Sequence, residues 1–137
     1  MPGAGPISMR SVAFFIAGLV LTSAAHAADS APRVTGFFSD MHYNEEGGDV
    51  IGTEVHIVVS RDGYHAVVQC AEGEPGVPVV VPVVASGSAI EFELPDQRQI
   101  LCCLGRFRST VSKEALRGKF DGCGDKLVLK RRRSYWQ

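Results

Sequence analysis

Two histidines and several carboxylates lie within residues 39–58, SDMHYNEEGGDVIGTEVHIV, and these side chains are suited to metal binding or proton transfer. If this segment is a hairpin in which the numbers of directly opposed residues add up to 96, Asp40 lies opposite His56. In the same register, His42 lies opposite Glu54. Two such pairs on one face could bind Zn²⁺ or Cu²⁺. We favour two solvated cross-strand contacts, because the convex outer wall of a small barrel excludes no water.

The turn of this hairpin is acidic, with Glu45, Glu46 and Asp49 around a Gly-Gly pair. The turn lacks the D-x-D-x-D-G pattern of a calcium loop. The glycines suit a polar hairpin turn, since glycine adopts positive φ without strain. We therefore predict no metal site and no cofactor, and we take Glu45, Glu46 and Asp49, with Glu72 and Glu74 from a later turn, as candidate binding residues.

Other residues that could perform catalysis are poorly placed for it. No G-x-S-x-G motif is present. His65 and Cys70 are an odd number of positions apart on one predicted strand, so they point to opposite faces. Glu91 and Glu93 share a face, but they alternate with bulky apolar residues and are predicted to face solvent. The sequence therefore predicts a non-enzymatic domain.

Short apolar–polar alternating segments, separated by Gly, Pro, Asp and Ser clusters, predict an all-β chain. The connections are mostly short enough for hairpins. This pattern favours a small eight-stranded antiparallel up-and-down barrel, with a β-sandwich as the alternative. An outer-membrane barrel is disfavoured, because it would need an apolar outside. The eight candidate strands are residues 34–43, 50–60, 64–71, 77–85, 89–94, 101–111, 115–120 and 126–132.

Alternation also predicts which side chains face inward. In the first hairpin the inner set is Phe37, Met41, Val55, Ile57 and Val59. The later strands contribute Tyr64, Ala66, Val68, Cys70, Ile90, Phe92, Leu94, Cys103, Phe107, Val111, Leu116 and Phe120. Pro78 and Pro82 cannot donate to a ladder, so the fourth strand is predicted to be an edge, bulged or irregular.

Residues 1–27 are predicted to be a cleaved signal peptide, with residues 28–137 as a single β-barrel domain. Arg10 supplies a positive charge, residues 12–21 form an apolar run, and AHA at 25–27 is a cleavage signal. The apolar run is about half the ~20 residues that a membrane-spanning helix needs. We therefore expect a periplasmic or secreted protein that does not span a membrane.

Charge is distributed unevenly along the chain. Between Asp40 and Asp96 there are 11 acidic residues and one basic residue, whereas between Arg106 and Arg133 there are 10 basic and three acidic residues. In a meander, alternate turns meet at one end, so one end of the barrel is predicted to be acidic and the other basic. At the acidic end Asp96, Asp121 and Asp125 would join the five candidate residues.

The four cysteines are predicted to lie near the same acidic end and to form disulfides, which suits an exported protein. Pairing Phe107 with Phe120 would place Cys103 one residue from the partner position of Cys123. The sequence therefore favours Cys123 bonded to Cys103 or Cys102, with Cys70 bonded to the other if geometry allows. A thiolate metal site is disfavoured because no C-x-x-C spacing occurs.

The basic–aromatic stretch KRRRSYWQ, residues 130–137, has two interpretations. It could contact nucleic acid, anionic lipid or an acidic cell-wall polymer. Alternatively it is the solvated end of the last strand, with Tyr135 and Trp136 packed back on the barrel. We favour the second, and the export signal argues against a nucleic-acid partner.

The stretch GRFRSTVSKEALRGKF, residues 105–120, resembles a hairpin of small calycin-like barrels. More broadly, GFFSDMHYNEEGGDVIGTE, AVVQCAEGEP and LVLKRRRSYW resemble a group of small secreted bacterial proteins of unassigned function. The resemblance implies a compact secreted β domain and supplies no catalytic residues.

Two functions follow as expectations. The first is an exported binding or envelope-associated barrel that holds a small apolar or amphipathic ligand in its interior. The second is a protein-interaction module, such as a periplasmic inhibitor of a cationic hydrolase like lysozyme, that uses its acidic loops. A filled interior would favour the second expectation.

Overall fold

The structure is a computed structural model that describes residues 31–137 together with Met1 and Gly3. Apart from those two residues, the predicted signal peptide lies outside the described residues. The strands are β1 (Gly36–Ser39), β2 (His42–Asn44), β3 (Asp49–Ser60), β4 (Gly63–Gly73), β5 (Val79–Ser86), β6 (Ala89–Leu94), β7 (Gly105–Val111), β8 (Ala115–Phe120) and β9 (Leu127–Arg131). A single 3₁₀ turn, Arg98–Ile100, precedes β7.

The strands form a closed eight-stranded antiparallel barrel with β2 as an additional short strand. From β3 to β9 each strand pairs with the next along the chain. β1 then closes the barrel by pairing with both β9 and β3. β1 and β2 together occupy the place of the predicted first strand, and the other strands match the predicted order. The predicted up-and-down barrel is therefore confirmed, and the β-sandwich alternative is wrong.

Apolar side chains fill the interior of the barrel. The phenyl rings of Phe92, Phe107 and Phe120 contact one another, with centroids 4.7 to 6.2 Å apart. Val55, Ile57 and Val68 from β3 and β4, all fully buried, belong to the same core cluster. Alternation correctly predicted the inner residues of β4, β6 and β8, because on each of these strands most apolar side chains fall on one face and most polar or charged ones on the other.

The first hairpin has a different register from the predicted one. Paired residue numbers sum to 93, so Phe38 pairs with Val55 and Phe37 pairs with His56. A shift by an odd number of residues moves every side chain to the other face. Phe38 is therefore inside, whereas Phe37 stacks on the outer His56 ring at a centroid distance of 3.7 Å. The predicted inner position of Phe37 is wrong, as are the predicted Asp40–His56 and His42–Glu54 pairs.

Met41 is also misplaced by the predicted register. It is fully buried, yet it does not belong to the interior cluster. The structure brings Met41 against Gly52 of β3, where a Cβ atom would lie 2.7 Å from the Met41 Cα. Gly52 has a φ of +117°, which favours glycine. A glycine at this position therefore lets the chain between β1 and β2 approach β3 closely.

Two further positions differ from the predicted inner set. Val59 is 66% exposed, because it pairs with Tyr64 beside the β3–β4 turn, at the very end of the barrel. Cys103 lies in the connection between β6 and β7. The sixth strand was predicted to begin at residue 101, but β7 begins only at Gly105. That connection also contributes Ile100, a fully buried residue that alternation did not predict.

β5 pairs with β4 along its first part and with β6 along its last part. Its ladder with β4 runs from Val79 to Val83, whereas its ladder with β6 contains three pairs, starting at Val84. β5 lies between β4 and β6 and is therefore not an edge strand, but Pro82 falls outside the β6 ladder, so its missing N–H costs no hydrogen bond in that ladder. The gap beside Val79, Val80 and Val81 forms a pocket of about 640 Å³.

Arg131 joins the two strands that close the barrel. Its guanidinium donates to the carbonyl oxygens of Thr35, Arg33 and Ser112, and it lies 4.5 Å from the centroid of the Phe38 ring. Burial, and to a lesser degree the charge of Arg33, lowers the pKa of Arg131 from its ordinary value. These contacts tie the chain before β1 to the end of β9.

No helix among the described residues is long and apolar enough to cross a membrane.

Candidate functional site

The connections that follow β2, β4, β6 and β8 meet at one end of the barrel, which we call the loop end. The antiparallel meander places them together, as the sequence predicted. The loop end contains the five predicted binding residues, Glu45, Glu46, Asp49, Glu72 and Glu74, together with Asp96, Asp121 and Asp125. The basic residues of the same connections are Arg98 and Lys126.

The five predicted binding residues come from two neighbouring connections. Glu45 and Glu46 are exposed in the turn before β3, and Glu74 is exposed after β4. Asp49 and Glu72 belong to adjacent paired strands, since Ile51 pairs with Glu72. One Asp49 oxygen lies 3.6 Å from the position of a Cβ atom on Gly73. The structure therefore brings these five acidic residues together along one side of the loop end. Their role in binding stays a prediction.

Few of these carboxylates are neutralised by ion pairs. Within residues 31–137, Asp121 pairs with Arg108 at 2.5 Å. The other ion pairs join Arg106 and Arg108 to Glu91 and Glu93 on the outer wall, or Arg61 to Asp62 in the β3–β4 turn. In this described part of the chain, Glu45, Glu46, Glu72 and Glu74 therefore face solvent without an ion pair, whereas Asp49 is partly buried, and together they create a negative potential there.

A pocket of about 500 Å³ opens at the loop end. All four cysteines line it, and its polar rim includes Asp40, Glu72 and Arg98. Asp40 Oδ1 accepts a hydrogen bond from the N–H of Thr53, another residue of the lining, at 2.6 Å. The apolar part of the lining is contributed by Ala71, Leu101, Phe120 and Leu127. We call this the mouth pocket.

Disulfide bonds join Cys70 to Cys102 and Cys103 to Cys123. Disulfide formation at the loop end is therefore confirmed, with a connectivity that the sequence left open. The adjacent residues Cys102 and Cys103 tie the long β6–β7 connection both to β4 and to the β8–β9 connection. The mouth pocket consequently has a covalently fixed wall.

The three histidines that the structure describes lie apart from one another. His42 Nδ1 lies 2.8 Å from the Asp40 carbonyl oxygen, His56 stacks on Phe37, and His65 Nδ1 lies 3.2 Å from Ser60 Oγ. Among the described residues, no group of three or more His, Cys, Asp or Glu side chains has a geometry that could hold a metal ion.

The C-terminal residues form a second feature, whose path across the strands was not predicted from the sequence. Residues 132–137, which we call the strap, cross the outer wall from β1 over β3 to β4. Glu54 accepts hydrogen bonds from Ser134 Oγ at 2.6 Å and from the Tyr135 N–H at 2.7 Å. Trp136 Nε1 donates to Gln69 Oε1 at 2.8 Å. Glu54 is therefore buried, with 6% exposure, although it faces outward.

The strap is held by residues that are neighbours across three strands. Ser39 pairs with Glu54, and Glu54 pairs with Gln69. Arg132 contacts Ser39 Oγ and donates to the Met41 carbonyl oxygen. The favoured sequence interpretation, with Tyr135 and Trp136 packed back on the barrel, agrees with this arrangement. The path of the strap across the strands produces no periodic pattern in the sequence.

No family model matches this sequence, and no match was found among curated proteins or among solved structures.

Proposed function

We propose that this chain is an exported, non-enzymatic β-barrel that acts as a protein-interaction module and binds a cationic protein surface through its loop end. The observation that carries the proposal is the group of uncompensated carboxylates on the first two connections of the loop end. Complementary charge accelerates association and selects partners. A cationic hydrolase of the lysozyme type, inhibited by this contact, fits the proposal.

Export is part of the proposal. The apolar run at 12–21, followed by AHA, supports cleavage of a signal peptide. The two disulfides suit the oxidising conditions of the periplasm or the extracellular space. The resemblance to small secreted calycin-like barrels agrees with this location and with a domain that has no catalytic residues.

The packed interior supports an interaction module over a carrier that encloses its ligand. Barrels of about eight strands either fill their interior with side chains or hold one small ligand. Here Phe92, Phe107 and Phe120 contact one another inside the barrel. Binding by surface loops requires no interior space.

The test is a binding assay with immobilised hen lysozyme, combined with a lysozyme activity assay. The double variant Glu46→Gln/Glu74→Gln removes two charges from the loop end. The matched control Asp62→Asn/Glu114→Gln removes two charges from turns at the opposite end. We expect the first variant to weaken binding by about 3–10-fold and to reduce its salt dependence, with the control unchanged. Absence of wild-type binding, or equal losses in both variants, would contradict the proposal.

A second candidate is supported by the mouth pocket. Its volume of about 500 Å³ and its mixed lining are typical of sites for small amphipathic ligands. Leu101 lines the pocket with a φ of +57°, a conformation that asparagine tolerates. If the pocket binds such a ligand, Leu101→Asn should reduce the fluorescence of bound anilinonaphthalene sulfonate. Leu104→Asn, outside this pocket, is the control, and equal signals from both variants would argue against the candidate.

A further inference from the structure

A cleft of about 370 Å³ lies between β2 and the strap, and it shares no lining residue with the mouth pocket. Its lining combines the buried Met41 with the rings of Tyr43 and Tyr135 and the side chains of Arg132 and Arg133. Tyr43 is 53% exposed. We call this the arginine cleft. It presents two guanidinium groups beside two aromatic rings.

Hydrogen bonds to the barrel hold the strap, which forms one wall of the arginine cleft. Glu54 holds the strap through Ser134 and Tyr135, and Gln69 holds it through Trp136. One terminal nitrogen of Arg132 is hydrogen-bonded to Ser39 and to the Met41 carbonyl. Because these contacts already order the strap, a ligand would lose less free energy in ordering it.

The positive charge of the cleft is not neutralised by the barrel. The ion pairs within residues 31–137 involve Arg61, Arg106 and Arg108, and none of them includes Arg132 or Arg133. The hydrogen bonds of Arg132 use the Nη2 nitrogen. The planar guanidinium therefore keeps further N–H donors for an anion, and guanidinium binds carboxylates particularly well.

We propose that the arginine cleft binds an acidic sugar residue, a uronic acid, of an envelope or extracellular polysaccharide. The carboxylate would pair with Arg133 and the free donors of Arg132. The apolar face of the sugar ring would pack on Tyr43 and Tyr135, as rings do in aromatic-lined sites that contain a few polar groups. A bare anion would use the arginines but not the tyrosines, so the aromatic rings favour a ligand with both a charge and a ring.

The arginine cleft uses other residues than the proposed loop-end contact, although it adjoins the acidic β2–β3 turn, since Tyr43 lies two residues before Glu45. The loop end is acidic and would repel a polyanion, whereas the arginine cleft would attract one. A chain anchored on an acidic polysaccharide by the cleft would still present its loop end to a cationic protein.

Titration with trigalacturonic acid, followed by NMR or calorimetry, tests the proposal. The fully methyl-esterified trisaccharide is the matched ligand without charge. Wild type should bind the acid about tenfold or more tightly than the ester. Arg133→Gln and Tyr43→Ala should each weaken binding by about fivefold or more. Both side chains are exposed, so both variants should fold, and circular dichroism can verify this.

Arg61→Gln is the control variant, because it removes one charge from an exposed side chain in the β3–β4 turn. It should change the affinity by less than about twofold. The proposal is overturned by the absence of saturable binding to the acid, by equal binding of the ester, or by an equal loss in Arg61→Gln. An unchanged affinity in Tyr43→Ala, with full competition by sulfate, would define a bare-anion site and would also overturn it.

Discussion

The carboxylate of Glu54 accepts a hydrogen bond from Ser134 Oγ, 80 positions further along the chain, at a distance of 2.6 Å. Its second oxygen accepts the Tyr135 N–H at 2.7 Å. Glu54 thus faces outward on β3 and is nevertheless buried, because the strap covers it. This contact fixes one wall of the arginine cleft, so the stability of the strap and the geometry of that cleft are linked.

Replacing Glu54 with glutamine should lower the free energy of unfolding by about 1–3 kcal/mol, because an amide group cannot accept both hydrogen bonds. Ser134→Ala should cost about 0.5–1.5 kcal/mol, since it removes one of them. Urea denaturation monitored by Trp136 fluorescence and by circular dichroism measures both. Glu74→Gln, on an exposed loop residue, is the control. If Glu54→Gln costs no more than Glu74→Gln, the strap is not held by this contact.

The aromatic cluster predicts a large difference between two phenylalanines. Phe107→Ala should destabilise the barrel by about 3–5 kcal/mol, because it leaves a cavity between Phe92 and Phe120. Phe37→Ala, on the outer face, should cost clearly less, about 1 kcal/mol. Thermal and urea denaturation of the two variants compare them. Equal costs would mean that Phe37 is in the interior and that the register of the first hairpin is wrong.

A pair of glycines tests the close approach of β7 and β8. A Cβ atom on Gly118 would lie 2.3 Å from the Arg108 carbonyl oxygen and 2.5 Å from the Ser109 Cβ. Gly118→Ala should therefore lower the free energy of unfolding by about 1–3 kcal/mol. Gly124→Ala should be nearly neutral, since a Cβ atom there meets nothing within 4 Å. Similar midpoints of chemical unfolding for both variants would contradict the close approach.

Each disulfide should contribute about 3–4 kcal/mol to stability, as estimated from the chain entropy of loops that join cysteines 32 and 20 positions apart. The double variants Cys70→Ala/Cys102→Ala and Cys103→Ala/Cys123→Ala remove them one at a time. The expected readout is a lower midpoint of unfolding for each variant in the absence of reductant. With dithiothreitol, the midpoint of unfolding of the wild type should fall toward those of the variants that lack a disulfide. Unchanged midpoints would show that the unreduced chain does not contain these bonds.

Alternation predicted the barrel well where one face is apolar at every second position. Ile90, Phe92 and Leu94 on β6 can face only inward, so both the strand and its orientation followed from the sequence. The adjacent pair Phe37 and Phe38 gave no such guidance, because either residue could fill the interior. The choice depends on the register with β3, which tertiary packing determines.

The two candidate surfaces were not equally predictable from the sequence. The predicted order of the strands was enough to place the acidic connections and the cysteines together, because alternate turns of a meander lie at the same end of the barrel. The arginine cleft depends on the strap, which leaves the sheet after β9 and crosses three strands. Such a crossing follows no strand period, and the burial of Glu54 results from partners 80 and 81 positions away. Sequence spacing contains no signal for this contact.

The pairing of β1 with both β3 and β9 constrains when the barrel can form. Phe38 pairs with Arg131, so β1 cannot complete its pairing before β9 is available. A chain that emerges from a ribosome or an export channel from its N-terminus can pair β3 with β4 early, but it cannot close until β9 has emerged. Contacts over such long sequence distances make folding slow. Until β9 has emerged, β1 therefore lacks one of its two partner strands, and the barrel stays open along that side.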